Sequence, residues 1–177
     1  CGGVEEIGRN MSMVEYKDSI IIVDCGVQFT ETNTPGIDFI LPNTRYLEEH
    51  KHKIKGVLVT HGHLDHIGSI PYIMPRIGNP QIYSRLFTSL MIKKRQEEFP
   101  HLAPLTINVI EKGDSLTLGD MRVKFFAVTH AIPDSMGIII ETPYGDIVHT
   151  GDLRLEHNDG VPTDDEEERY KLFESRK

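Results

Sequence analysis

Apolar and polar positions along the chain alternate with two different periods, and the switches between them mark the elements. Residues 11–16 and 19–24 form two strand-like runs across Lys17-Asp18, which predicts a hairpin. Residues 26–42, rich in Thr, Asn, Pro and Gly, read as a loop. A short helix follows over 43–51, with Asn43 or Thr44 as its cap. Residues 56–60, Gly-Val-Leu-Val-Thr, look like a short buried strand, and a helical pattern runs over 65–77. A strand at 81–83 and a helix over 86–99 complete the first half. The second half is rich in strands, at 106–110, 115–118, 121–129, 136–141 and 146–149. Turns at 112–114, 119–120 and 143–145 separate them. Strands mixed with interspersed helices, without internal repeats, predict a layered α/β sandwich.

The 177 residues, 38% of them hydrophobic, suffice for the core of about one domain. A formal net charge of −8 leaves no overall basic footprint for nucleic acid, although a local groove could carry one. Two cysteines, Cys1 and Cys25, are too few for a disulfide framework or a cysteine-rich zinc module. Cys25 follows an apolar run and reads as a small buried residue. Nothing resembles a signal peptide or a membrane span, so a reducing cytoplasm is the default location. The chain opens on Cys1-Gly2-Gly3 without Met, and it stops inside the charged, helix-like stretch 164–177, which shows no C-terminal cap. It therefore reads as a fragment.

The densest chemistry lies in Thr60-His61-Gly62-His63-Leu64-Asp65-His66-Ile67-Gly68, on the turn after strand 56–60. Three imidazoles and a carboxylate so close together are the ingredients of a metal site. His61 and His63 are two apart, so an extended backbone points both side chains the same way. Asp65 and His66 fall at the start of the next helix, where a carboxylate is favoured, and are placed to reach a second ion. Two further strands stop in potential ligands: 123–128 runs into Thr129-His130, and 147–149 runs into Thr150-Gly151-Asp152. Alone, His130 would pass for an ordinary hydrogen-bonded histidine and Asp152 for a turn aspartate. Beside the first motif, three strand ends meeting at one edge would gather all six residues.

These residues resemble the metallo-β-lactamase superfamily with its HxHxDH signature. Further landmarks are similar to the ribonuclease J branch of the β-CASP nucleases. They are the opening Gly2-Gly3-Val4-Glu5-Glu6-Ile7-Gly8-Arg9-Asn10-Met11, Asp24-Cys25-Gly26, Pro35-Gly36-Ile37-Asp38, Thr129 to Ser135 and Val148 to Asp152. The resemblance implies a four-layer αβ/βα sandwich, incomplete in this chain, with residues 1–177 as the N-terminal part of the domain. It also implies a dinuclear site of two divalent ions, zinc with manganese as the alternative. His61, His63 and His130 would hold one ion, Asp65 and His66 the other, and Asp152 would bridge. The implied activity is cleavage of RNA phosphodiesters, exonucleolytic from the 5′ end and endonucleolytic. The full-length protein could be a homo-oligomer.

Two departures qualify the match. Leu64 stands where ribonuclease J enzymes often carry Glu, so any role of that carboxylate is absent. The β-CASP domain, a later ligand histidine and the C-terminal region would all lie beyond Lys177. The chemistry follows from metal physics: water bound to zinc has a pKa near 7, so the nucleophile would be a metal-bound hydroxide. Asp65 and Asp152 are the carboxylates placed to orient it, with Asp65 as the proton acceptor. His149 reads as a supporting residue, and His50, His52, His101 and His157 as solvated. Lys93-Lys94-Arg95 reads as the wet face of a helix. The glycine-rich opening could cradle a phosphate or form a tight turn, and Ser69 needs no nucleophilic role. The alternatives are a thioester or lactam hydrolase on the same site, and a non-catalytic RNA-binding subunit.

Overall fold

A computed structural model describes residues 1–3, 8–30, 35–155, 157–158 and 161–174. The predicted hairpin is present as β1 (Ser12–Tyr16) and β2 (Ser19–Val23). The predicted loop 26–42 contains a small antiparallel pair, β3 (Gln28–Phe29) and β4 (Phe39–Ile40). Two residues per strand are too few to leave a periodic trace in the sequence. Next come α1 (Arg45–Glu49), β5 (Ile54–Leu58), α2 (Leu64–Ile67), α3 (Ile70–Ile73), β6 (Ile82–Ser84) and α4 (Leu86–Gln96). The second half supplies β7 (Ile107–Val109), β8 (Ser115–Leu118), β9 (Met121–Ala127), β10 (Met136–Thr142), β11 (Gly145–His149), the short pair β12 (His157–Asn158) and β13 (Val161–Pro162), and α5 (Asp164–Glu174).

Two sheets form the centre. One has the order β1-β2-β5-β6-β7, parallel from β2 onward, and the other is the antiparallel β11-β10-β9-β8. Every residue of β2 is buried because it is central in its sheet and covered on both faces. Ile20 and Ile22 face the helices, packing with Leu47, Ile70, Ile73 and Ile92. Ile21 and Val23 face the second sheet, against Val123, Phe125, Ile138 and Ile140. On the far side of that sheet, Phe126, Val128 and Ile139 meet Leu172 and Phe173 of α5. The layers run helix, sheet, sheet, helix, as the αβ/βα expectation required.

The helix expected over 65–77 divides into α2 and α3. The cause is competition for backbone groups: Asn10 N–H takes the carbonyl of Asp65 and Cys25 N–H takes that of His66, while Ser69 N–H donates to Cys25. Pro71, lacking an N–H, starts the next turn. The helix expected over 43–51 is likewise shorter. Thr44 takes the cap position without a capping bond, its hydroxyl donating to Glu48 instead, and Asn43 Oδ1 just ahead of it accepts from Arg45 N–H. Among the described residues, no helix is long and apolar enough to cross a membrane.

Candidate metal centre

Parallel strands end at a common edge. β2 stops at Asp24, whose N–H donates to Leu58, beside the point where β5 leads into Thr60. β9 and β11, both antiparallel to β10, likewise end together, at the segments carrying His130 and Asp152. Hydrogen bonds sew these ends into one site: Met136 N–H to the Thr60 carbonyl at 2.9 Å, and Arg154 N–H to that of Thr129 at 2.7 Å. Gly151, at φ 59°, makes the sharp turn before Asp152, with its N–H donating to His149 Nδ1 at 3.1 Å. His149 thus supports the turn. The loop after His130 is anchored by Asp134, which accepts from Phe87 N–H at the start of α4.

The structure brings all six sequence-predicted residues to this edge. His61 Nε2 lies 3.0 Å from His63 Nδ1, and His130 Nε2 lies 3.2 Å from that same atom. A tetrahedral ion with Zn–N bonds of about 2.0–2.1 Å sets its ligand nitrogens about 3.3 Å apart, so these two separations fit with little adjustment. His61, His63 and His130 form one group of converging donors, and His61, His66 and Asp152 form a second. The side-chain oxygens of Asp152 face both. Oδ2 is 3.6 Å from His130 Nε2 and 3.9 Å from His61 Nε2, whereas Oδ1 is 3.4 Å from His66 Nε2. Asp65 stands at the margin, its Oδ2 3.6 Å from His66 Nε2. Because α2 has a single turn, its dipole does little for Asp65; the contact with Asn10 Nδ2 at 3.3 Å holds the carboxylate instead.

Sequence reasoning gave no role to Asp24. This residue is 1% exposed and adopts a left-handed φ of 62°, a conformation that costs about 1–3 kcal/mol for a residue with a side chain. Its carboxylate accepts from the backbone N–H and hydroxyl of Thr60 and lies 2.8 Å from His66 Nδ1. The hydrogen bond fixes the His66 ring so that Nε2 faces Asp65 and Asp152. The signal was present: a carboxylate ending an apolar strand is the same layout that marked His130 and Asp152.

The two groups differ electrostatically. Burial, with a smaller push from His66, lowers the pKa of His61 to about 3, so its imidazole is neutral and free to donate a lone pair. Burial lowers His130 as well. For His66, burial pulls downward, but the Asp24 hydrogen bond and the charges of Asp24, Asp152 and Asp65 outweigh it and its pKa is raised. Cys25 is fully buried beneath the site, its thiol pushed up to about 12, and bears no ligand role.

A cavity of about 510 Å³ opens beside His63, Leu64 and Asp65, walled by Gly8, Val27, Gln28 and Phe29. Leu64 and Phe29 are exposed there, so the wall is apolar where a Glu at position 64 would have made it acidic. His52 and His101 are exposed as expected, but His50 is half-buried, stacked on Tyr46 with ring centroids 4.2 Å apart. Lys94 and Arg95 pair with Glu97 and Glu98 on the surface of α4. Residues 4–7 of the glycine-rich opening and the side chain of His157 lie outside the described residues.

Comparison with known proteins agrees with this geometry. The family model described as the metallo-beta-lactamase superfamily matches residues 4–174. Ribonuclease J of Corynebacterium glutamicum is 42% identical over 165 residues, 92% of this chain and 23% of the relative. Ribonuclease J of Thermus thermophilus is 40% identical over 88% of this chain and 28% of its own length. The chain thus spans about a quarter of the length of these curated relatives. Among solved structures, the MIM-2 metallo-β-lactamase superposes with a TM-score of 0.56 at 16% identity, covering 81% of this chain and 54% of that one. Zinc-bound PqqB from Methylobacterium extorquens superposes with a TM-score of 0.56 at 12% identity, covering 84% and 54%. Signature, site and architecture agree that the chain belongs to the metallo-β-lactamase superfamily.

Proposed function

We propose that this chain carries most of the metal centre of a ribonuclease J-like enzyme that hydrolyses RNA phosphodiester bonds, both from the 5′ end and internally. The observation that carries the reading is Asp152, whose two oxygens face two different groups of donors. In this reading His61, His63 and His130 hold one divalent ion, Asp65 and His66 hold the other, and Asp152 lies between them. Three imidazoles favour zinc in the first place, whereas the carboxylate-rich second also suits manganese. When bound, such a pair of ions makes water acidic enough to attack near neutral pH and counters the charge that develops on the phosphoryl oxygens. The protein's own groups do the rest. Asp24 holds the His66 ring, Thr60 holds Asp24, and Asp65 accepts the proton of the attacking water.

RNA as the substrate is supported by the curated relatives, which carry the name ribonuclease J. On the same ground we place the chain as the N-terminal part of the catalytic domain of a cytoplasmic enzyme that works with a β-CASP domain. The test is cleavage of 5′-monophosphorylated RNA by the full-length protein supplied with zinc or manganese. Asp65→Ala should abolish it while the circular dichroism spectrum stays unchanged. Turnover of a thioester or a β-lactam in place of RNA would overturn the assignment of substrate. RNA binding without any turnover would overturn the enzyme reading itself.

A further inference from the structure

Asn10 lies outside the ligand set, and holding the Asp65 carboxylate uses only one of the two N–H groups of its side chain. Its backbone is tied from both sides: its N–H donates to the Asp65 carbonyl at 3.1 Å, and its own carbonyl accepts from Gly26 N–H at 2.9 Å. Gly3 packs so closely that a Cβ there would come within 2.5 Å of Asn10 Oδ1. The loop is therefore held without help from the side-chain NH2, which turns toward the ligands. Nδ2 lies 3.3 Å from Asp65 Oδ2 and 3.1 Å from His66 Nε2. Since His66 Nδ1 is committed to Asp24 at 2.8 Å, Nε2 is the nitrogen left for an ion.

One amide thus covers the ion-facing atoms of two ligands. An ion that takes the single lone pair of His66 Nε2 removes that acceptor, while the Asp65 carboxylate keeps lone pairs for the other N–H; the N–H freed from His66 then needs a new acceptor. The reaction brings one, because a phosphodiester presents anionic non-bridging oxygens where the ligands converge. We propose that Asn10 is a catalytic residue whose Nδ2–H donates to a non-bridging phosphoryl oxygen of the substrate. A neutral amide suits the position, since a lysine or arginine there would pair with Asp65 instead. This inference rests on reading the centre as a phosphodiesterase, and it adds the group that recognises the phosphoryl oxygen.

The experiment measures inorganic phosphate binding to the zinc-loaded protein by calorimetry, with zinc content measured on the same samples. Asn10→Ala should keep the zinc content of the native protein and bind phosphate about tenfold more weakly, or worse, as expected for a lost bond to a charged group. Asn10→Asp, nearly the same shape, should bind phosphate more weakly still because its charge repels the anion. RNA cleavage by both variants should fall by about 10²–10³ in kcat. Equal phosphate affinity in native protein and Asn10→Ala would overturn the proposal. So would normal phosphate binding by Asn10→Asp, which a purely structural role would allow, or loss of zinc in Asn10→Ala. Failure of the native zinc-loaded protein to bind phosphate at all would instead overturn the phosphodiesterase reading beneath it.

Discussion

The two halves of the centre are built on different principles. In the histidine half, His61, His63 and His130 meet edge to face, with ring centroids 4.6–5.0 Å apart, and the half brings no carboxylate of its own. In the carboxylate half, His66 is surrounded by Asp24, Asp65, Asp152 and Asn10. The first gathers imidazole lone pairs, and burial lowers the pKa of His61 and His130. The second gathers negative charge around a single imidazole whose orientation is locked from behind. Asp152 is the carboxylate whose two oxygens face both, while His61 stands between the halves with its ring 4.0 Å from that of His66. The difference teaches that the halves should fail separately when their own supports are removed, and together when Asp152 is.

The largest effect should come from Asp152→Ala. RNA cleavage should drop to background and the content of both ions should fall, measured by metal analysis after dialysis. Retention of a full complement of metal would break the link between the halves. Next in size is Asp24→Ala, which leaves a buried His66 without its partner and should cost about 3–5 kcal/mol in denaturant unfolding. It should also weaken the ion of the carboxylate half about 10–100-fold while sparing the histidine half. Equal weakening of both ions would show that the halves are not separately supported.

Gly26→Ala probes the same half through the backbone, because a Cβ there would lie 1.6 Å from the Asp65 carbonyl oxygen. The clash should displace α2 and destabilise the protein by about 1–3 kcal/mol or more, read from its urea midpoint. An unchanged midpoint would contradict the packing of Gly26 under Asp65. The smallest effect concerns Cys25, whose raised pKa and burial make it unreactive. A thiol reagent at pH 8 should label Cys1 rapidly and Cys25 only after unfolding, whereas in Asp24→Ala labelling of Cys25 should accelerate. Two rapidly labelled thiols in the native protein would contradict the burial.

How much of this was legible in the sequence follows the same division. The histidine half could be read directly, since His61 and His63 are two residues apart on an extended segment and His130 ends an apolar strand. Asp152 was found by the same layout. Asp24 ends the apolar run of β2 in that same layout, but its left-handed backbone and its contact with His66, which give it a role, exist only after folding. Asn10 escaped because a lone Asn near a glycine-rich segment looks like turn chemistry. Among the elements, β2 and β5 were plain as apolar runs, but the division between α2 and α3 was hidden. It depends on the Asn10 and Cys25 amides competing for helix carbonyls from distant parts of the chain. Sequence periodicity records burial well and such long-range competition hardly at all.

The most direct test of the central claim is a calorimetric zinc titration of the metal-free protein beside its His63→Ala and Asp24→Ala variants. The account predicts two ions per chain in the native protein, with His63→Ala weakening one phase and Asp24→Ala weakening the other. A single phase in the native protein, or the same phase lost in both variants, would contradict it.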